Sequence, residues 1–540
     1  MHFRCFGNIQ TSVGIYLYKH LYIEGMKTVD LKLTEVSVCD YCKQMKTRTT
    51  VESDVIVPDT KPDIYRILSV KAIADVSERN VRKDKVMFSG KVKFNVLYVG
   101  ENDKTSLCSV EYVSPFNHQA DMPGVDENVD CKGSCNVIKT MFEVRNSRKL
   151  SVGAVLELES EAVIQSEIEV LDNGEENTDF PVRTEMYEGD RLTACKEFEF
   201  EVSDTVALPA MGEEYEVYDV NVRFDPSDIR TVNNKAVVKG QANMTVMYSA
   251  DGKLMSYDTE TGFTEIIDIE SVYSESNILS HFEIADVDYE LSDMGNGASV
   301  DIKIVVKGYI CAYDRVQYNV TTDIYSPDYE YEIIRRSGKL VEVSDIVKDQ
   351  SSIKDTVTID GSVPLVQKVH YINCSVSGGK TYTDNGKTKI SSALDSVLIY
   401  EDEDGNLCRI QHSTPFEEEL QCEADSVTAD LSCTNFGYIL NSSREIQIRA
   451  IIRKEICVKK QKDVSFITGF ETDEKSPVFN QNDPGVVICY PDDGADIWEI
   501  AKKYHTTDSE IASLNGIDKS APLVGGRPLL IAKRQQICEM

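Results

Sequence analysis

Residues 85–99 read KVMFSGKVKFNVLYV, and the fold class follows from how they alternate. Val92, Phe94, Val96 and Tyr98 fall on one face of an extended chain, and Lys91, Lys93, Asn95 and Leu97 fall on the other. Side chains repeat every two residues along a strand, so this stretch is a strand rather than a helix. Residues 100–103 (Gly-Glu-Asn-Asp) are a turn signal, and SLCSVEYVSPF at 106–116 returns as the second arm of a hairpin.

The same skeleton appears three times. The copies read Val70, Gly90, Tyr98, Phe116; then Val220, Gly240, Tyr248, Phe263; then Ile372, Ser392, Tyr400, Phe416. The first two steps are constant at 20 and 8 residues, whereas the last drifts over 18, 15 and 16. Constant spacing through a rigid element, with drift across a loop, marks duplication. The hairpin turn is Ala250-Asp251-Gly252 in the second copy and Asp404-Gly405 in the third, and Asp-Gly suits a tight hairpin. A glycine inside a strand marks a bulge or a close backbone approach. Because Ser392 fills the slot in the third copy, close packing is the expected reason. The three tyrosines are expected in the core or at the sheet rim rather than as ligands.

Each copy has a second half: a polar turn at Asn146, Asn296 or Asn441, then a long alternating strand. Runs rich in β-branched residues, with turn chemistry between them, make most of the chain strand. The expected fold is mainly β: three repeated antiparallel β-domains of two-layer type, followed by a small βααβ domain. The boundaries read as a polar, partly helical lead-in over 1–50, repeats at 51–197, 198–344 and 345–462, a linker at 463–485 and the small domain at 486–534. Met26 opens a smoother stretch than Met1, so residues 1–25 read equally well as a non-native extension.

Composition narrows the function. Among 540 residues, 91 are acidic and 57 basic, a formal net charge of −34. Such a charge repels nucleic-acid phosphate and anionic lipid, and favours solubility or docking on a basic protein surface. No apolar run approaches the roughly 20 residues of a transmembrane helix. Val13–Tyr18 is short and interrupted by Lys19 and His20, so it makes a poor signal peptide and the chain reads as cytosolic. Fifteen scattered cysteines do not resemble the disulfide framework of a short secreted domain, and most read as reduced, half-buried residues. Cys39 and Cys42 form a lone C-x-x-C, and Cys131 and Cys135 lack partners for a zinc site, so neither metal nor cofactor is expected.

Three further motifs read as turns. Gly378-Gly379-Lys380-Thr381 and Gly386-Lys387-Thr388 hint at a phosphate loop, but Cys374 and Thr381 stand where its first glycine belongs. Asp286-Val287-Asp288-Tyr289-Glu290 begins like a calcium loop, with Leu291 in place of its glycine. Glu401–Asp404 is a solvated hairpin tip. No nucleophile pairs with a base at a defensible spacing, so an enzyme is not expected.

The tail carries the helical signal. GVVICY is a strand, and DIWEIAKKYH places Ile497, Ile500, Ala501 and Tyr504 at helical spacing. Thr507 with Glu510 three residues later fits a capping box, Gly516 closes the second helix, and PLLIAK is a final strand. GADIWEIAKKY at 494–504, followed by Ile511, Leu514, Asn515, Gly516 and GRPLLI, resembles a LysM module, although Ala495-Asp496 replaces the usual Asp-Thr. The resemblance implies a groove between the two loops that binds N-acetylglucosamine polymers. In the first repeat, VPDTKPDIYRILSV followed by DKVMFSGKVKFNVLYV resembles the SipL-type spore-coat (SPOCS) domain. Three such domains and one LysM module is an arrangement of that family of spore morphogenetic proteins. The resemblance implies a non-enzymatic assembly factor in the mother-cell cytosol at the forespore surface. Its implied partner is the coat morphogenetic ATPase, with peptidoglycan as the alternative. The site residues implied on the module are Asp493, Gly494, Ala495, Asp496, Trp498, Lys502, Lys503, Asn515, Ala521, Pro522, Leu523 and Val524, with Trp498 readable equally as core.

Overall fold

The computed structural model describes residues 17–20, 30–101, 105–129, 131–172, 180–209, 212–293, 297–361, 363–421, 424–478 and 484–533. The start-site question therefore falls mostly outside the described residues, as do the side chains of Cys39 and Cys42. Except for a short β1 (Leu17–His20) and the tail, the strands fall into three successive sets of six. The first set is β2 (Asp30–Ile56), β3 (Ile64–Arg82), β4 (Lys85–Gly100), β5 (Leu107–Asp121), β6 (Cys131–Asn146) and β7 (Lys149–Leu171). The second is β8 (Val182–Ala207), β9 (Tyr215–Thr231), β10 (Lys235–Ala250), β11 (Lys253–Asp268), β12 (Asn277–Asp293) and β13 (Ala298–Ile324). The third is β14 (Tyr329–Thr358), β15 (Lys368–Asp384), β16 (Lys387–Glu401), β17 (Leu407–Leu420), β18 (Ser426–Ser442) and β19 (Glu445–Pro477). In every set the second to fourth strands form an antiparallel meander, while the last strand pairs between the first and the fifth. Two antiparallel sheets then bury one apolar face each against the other.

The skeleton now has a physical meaning. Gly90 lies directly across from Phe116, Gly240 from Phe263 and Ser392 from Phe416. A Cβ on Gly90 would sit 2.1 Å from the Asp75 carbonyl oxygen, and one on Gly240 2.1 Å from that of Asp225. Close approach, not positive φ, therefore selects glycine. In the third unit the glycine moves to the facing strand: Gly378 and Gly379 adopt φ of +94° and +102° at a register shift and make room for Ser392. Gly378 and Gly379, read from the sequence as a turn, are thus a bulge in β15, and Asn385-Gly386 is a hairpin turn with φ of 51° and 74°. Tyr98, Tyr248 and Tyr400 are fully buried. Tyr98 and Tyr400 each donate a hydrogen bond of 3.0 Å to a proline carbonyl, of Pro62 and Pro364. Pro62, just before β3, thus has a counterpart in Pro364, just before β15.

The three units close into a ring. Leu97, Met247 and Ile399, each just before a landmark tyrosine, meet in one cluster with Leu107, Leu254 and Leu407. Beside them Asp219 of the second unit accepts from Lys71 and Asn95 of the first, at 3.0 and 2.9 Å, and from Tyr371 of the third at 2.9 Å. A second junction forms where the long outer strands run beyond their sandwiches: Val36, Val38, Ile168 and Val170 pack on Tyr318, Val320, Leu340, Val464 and Phe466.

Several expectations are corrected. Residues 30–50 are strand, not a partly helical lead-in, because β2 pairs with β7 from Leu33 opposite Leu171 to Ile56 opposite Lys149. Residues 463–477 are strand rather than linker, and Val464, Phe466, Ile467 and Phe470 are buried there. Gly469 permits close approach to Ile334 at a register shift, so it marks a bulge rather than a break. The unit boundaries expected after residues 197 and 344 fall inside β8 and β14. Cys195 and Cys311 lie directly across from each other on β8 and β13, with Cα atoms 4.1 Å apart.

Candidate partner-binding site

The tail folds as β20 (Val486–Cys489), α1 (Ile497–Lys503), α2 (Asp508–Asn515) and β21 (Leu529–Ala532), with β20 antiparallel to β21. Asp496 caps α1 by accepting from the Trp498 amide at 2.9 Å. Thr507 caps α2 in a complete capping box: its hydroxyl accepts from the Glu510 amide at 3.1 Å, and the Glu510 carboxylate accepts from the Thr507 amide at 3.2 Å. Gly516 ends α2 at φ 60°. Asn515 fastens α2 to β21 by bonding both the amide and the carbonyl of Leu530, at 2.8 and 2.7 Å.

The two loops of the module are tied side by side. The Gly494 amide donates to the Leu523 carbonyl at 2.8 Å, and the Gly525 amide donates to the Asp493 carboxylate at 3.1 Å. Ala495 is half-buried, Leu523 is buried, and Lys503, Ala521, Pro522 and Val524 are exposed. The candidate residues thus divide between those that touch the second unit and those open to solvent.

One face is occupied by the second unit. Trp498 is 5% exposed and meets Tyr325 edge-on, with ring centroids 4.9 Å apart. Its indole N–H donates to Asp323 at 2.8 Å, and Lys502 donates to the same carboxylate at 2.9 and 3.0 Å. Tyr325 donates to the Thr506 carbonyl at 2.8 Å, and Arg183 pairs with Asp496 while lying over the Trp498 ring. Burial works against the Asp496 carboxylate, but Arg183 and the Trp498 amide outweigh it and hold the group below the usual range. Asp323, Tyr325 and Arg183 went unrecognised in the sequence. They lie about 175 residues or more before their partners in the chain, and no local pattern connects the two.

Lys503, Ala521, Pro522 and Val524 are exposed, Val524 at 62%. Among the described residues, no group of three or more His, Cys, Asp or Glu side chains is placed to hold a metal. No helix among them is long and apolar enough to cross a membrane.

A family model described as SipL, SPOCS domain, matches residues 63–145 and 215–292. These segments cover β3 to β6 of the first unit and β9 to β12 of the second, that is, the meander and the fifth strand in each. No curated protein and no solved structure matches the chain. The match brings with it a sporulation-related role. The first and second units thus each contain a segment that matches the SPOCS domain of SipL-type proteins.

Proposed function

We infer that the chain is a non-enzymatic adaptor in spore-coat assembly. It works in the mother-cell cytosol at the forespore surface, and its tail, which resembles a LysM module, docks the coat morphogenetic ATPase. The observation that carries this reading is that the second unit holds the module through Asp496, Trp498 and Lys502 while Lys503, Ala521, Pro522 and Val524 stay exposed. A module fixed rigidly to a ring of three β-units, with one side outward, suits presentation to a macromolecular partner. The acidic chain favours a partner with a basic surface. The N-acetylglucosamine reading is weaker, because the groove between the two loops is bridged by hydrogen bonds from Gly494 and Gly525.

The test uses the full chain, since a fragment starting at 463 would cut β19 and remove Asp323. Pull-down of the purified coat ATPase is compared with sedimentation on peptidoglycan. Capture of the ATPase without sedimentation is expected, and the reverse pattern would replace the adaptor reading with glycan binding.

A further inference from the structure

The junctions between successive units can be compared position by position. β12 of the second unit packs against β3 of the first, and β18 of the third packs against β9 of the second. Ile73 stands three residues after Val70 and opposite Lys93, and Arg223 stands three residues after Val220 and opposite Asn243. β12 shifts register after Ile284 and β18 after Cys433, so Asp286, Val287 and Asp288 correspond to Asn435, Phe436 and Gly437. The first junction is closed by charge: Lys93 donates to Asp286 at 3.2 Å and to Asp288 at 2.6 Å, and Lys91 donates to Asp286 at 2.9 Å. In the second junction Asn243 stands in place of Lys93, Asn435 and Gly437 stand in place of the two carboxylates, and a cation, Arg223, stands where the first unit has Ile73.

Arg223 is 9% exposed and lines a cavity of about 640 Å³ between the second and third units. Its guanidinium lies over the Phe436 ring, 4.4 Å from the centroid, and Nη1 donates to the Thr245 hydroxyl at 3.0 Å. Nε is buried without a partner, and Arg223 makes no ion pair among the described residues. An arginine keeps its charge in a protein interior, so burying it without a counter-ion is costly unless something supplies one.

The same cavity carries the opposite charge. The Thr245 hydroxyl donates in turn to the Asp258 carboxylate at 2.6 Å. Asp258 and Glu260, two residues apart on β11, line the cavity and are exposed, and neither makes an ion pair among the described residues. A cation and a carboxylate therefore border one space a single threonine apart, each without a counter-ion in contact. The other ionisable groups of the wall are already bonded: His370 lies 2.9 Å from Glu401, Tyr371 donates to Asp219 at 2.9 Å, and Tyr438 donates to the Val369 carbonyl at 3.1 Å. A polyanion would be repelled by Asp258, Glu260 and the net charge of −34, and a simple cation would leave Arg223 unpaired.

We propose that this cavity binds a small zwitterion of the amino-acid class, with its carboxylate on Arg223 and its ammonium group on Asp258 and Glu260. No residue of the tail module lines the site, and the proposal does not depend on the adaptor reading.

The full chain is titrated with L-alanine, L-glutamine and the dipeptide alanyl-alanine at up to about 10 mM, followed by saturation-transfer NMR and isothermal titration. Propionate and propylamine, each carrying one of the two charges, are the controls. At least one zwitterion is expected to bind, at least about tenfold more tightly than either control, with Trp498 emission unchanged. Arg223→Ile, which installs the residue of the first unit, should weaken that binding at least about tenfold and keep or raise the melting temperature. Arg223→Gln removes the charge but keeps a polar side chain, and serves if isoleucine disturbs the fold. The proposal is overturned if no zwitterion binds, which would leave Thr245 as a purely structural link between Arg223 and Asp258. It is overturned equally if propionate or propylamine binds as tightly as the zwitterions, if folded Arg223 variants bind like the parent, or if binding shifts Trp498 emission and so locates the ligand on the tail.

Discussion

The indole N–H of Trp498 donates to the carboxylate of Asp323 at 2.8 Å, and Lys502 donates to the same carboxylate. One acidic side chain on β13 thereby holds both an aromatic and a cationic residue of α1. Hydrogen bonds to a charged group contribute about 1.5–3 kcal/mol, more than neutral ones.

Asp323→Ala should therefore release the tail module from the second unit while the ring stays folded. The chain has a single tryptophan, so its emission reports this contact alone. A red shift is expected for Asp323→Ala and a smaller one for Asp323→Asn, which keeps an acceptor but loses the charge. Unchanged emission in both would mean that the contact does not form in solution.

The landmark tyrosines are equally buried but differently bonded. Tyr98→Phe and Tyr400→Phe each lose a bond to a proline carbonyl and should cost about 1 kcal/mol. In the second unit the proline bond is made instead by Tyr215, which stacks on Tyr248 and donates to Pro209 at 3.2 Å. Tyr248→Phe should cost less than the other two. Hydrogen exchange of the β4, β10 and β16 amides measures the three effects separately.

Gly90→Ala and Gly240→Ala should be among the most damaging single-methyl changes, because the new Cβ meets a backbone carbonyl rather than a movable side chain. A loss of about 3 kcal/mol or more is expected, at or beyond the upper end for overpacking. Ser392→Ala, which removes a buried hydroxyl without a partner, should leave stability unchanged or raise it. Thermal melts of the three variants provide the comparison.

The junctions of the third unit should weaken at both pH extremes. Burial opposes the Glu161 carboxylate, but Lys132 and Lys459 outweigh it and lower the group to about 2. A lowered carboxylate stabilises fully above its ordinary value of about 4.5 and loses that contribution as pH falls toward 2. Burial likewise opposes the charge on His281, but Asp430 and Glu283 outweigh it and raise the ring to about 10. A raised histidine stabilises fully below its ordinary value of 6.5 and loses that contribution as pH rises toward 10. Exchange protection in β18 should thus be greatest between about pH 4.5 and 6.5, and Glu161→Gln should remove the acid limb only.

Much of this architecture was legible because its signals are local. Strand alternation, the Asp251-Gly252 turn and the Thr507–Glu510 capping box each lie within a few residues. The first and last strands of each unit were harder to read. Asp30–Ile56 pairs with Lys149–Leu171, whose partners stand about 90 to 140 residues away along the chain. Counting outward from the skeleton therefore gave the period of the repeats but not their ends. On the tail, the residue types that form both faces were visible as a motif. Their division was not, because it depends on Asp323 and Tyr325, which lie in a different unit and carry no signature of their own.

The most direct measurement is the affinity of the full chain for the coat ATPase, compared with a variant changed only at two exposed residues of the tail, Lys503→Glu with Val524→Glu. The parent is expected to bind. The variant is expected to bind at least about tenfold more weakly, with Trp498 emission unchanged, so that loss of the partner is separated from loss of the fold. Equal binding by parent and variant, or no binding by either, would contradict an adaptor that works through these exposed residues.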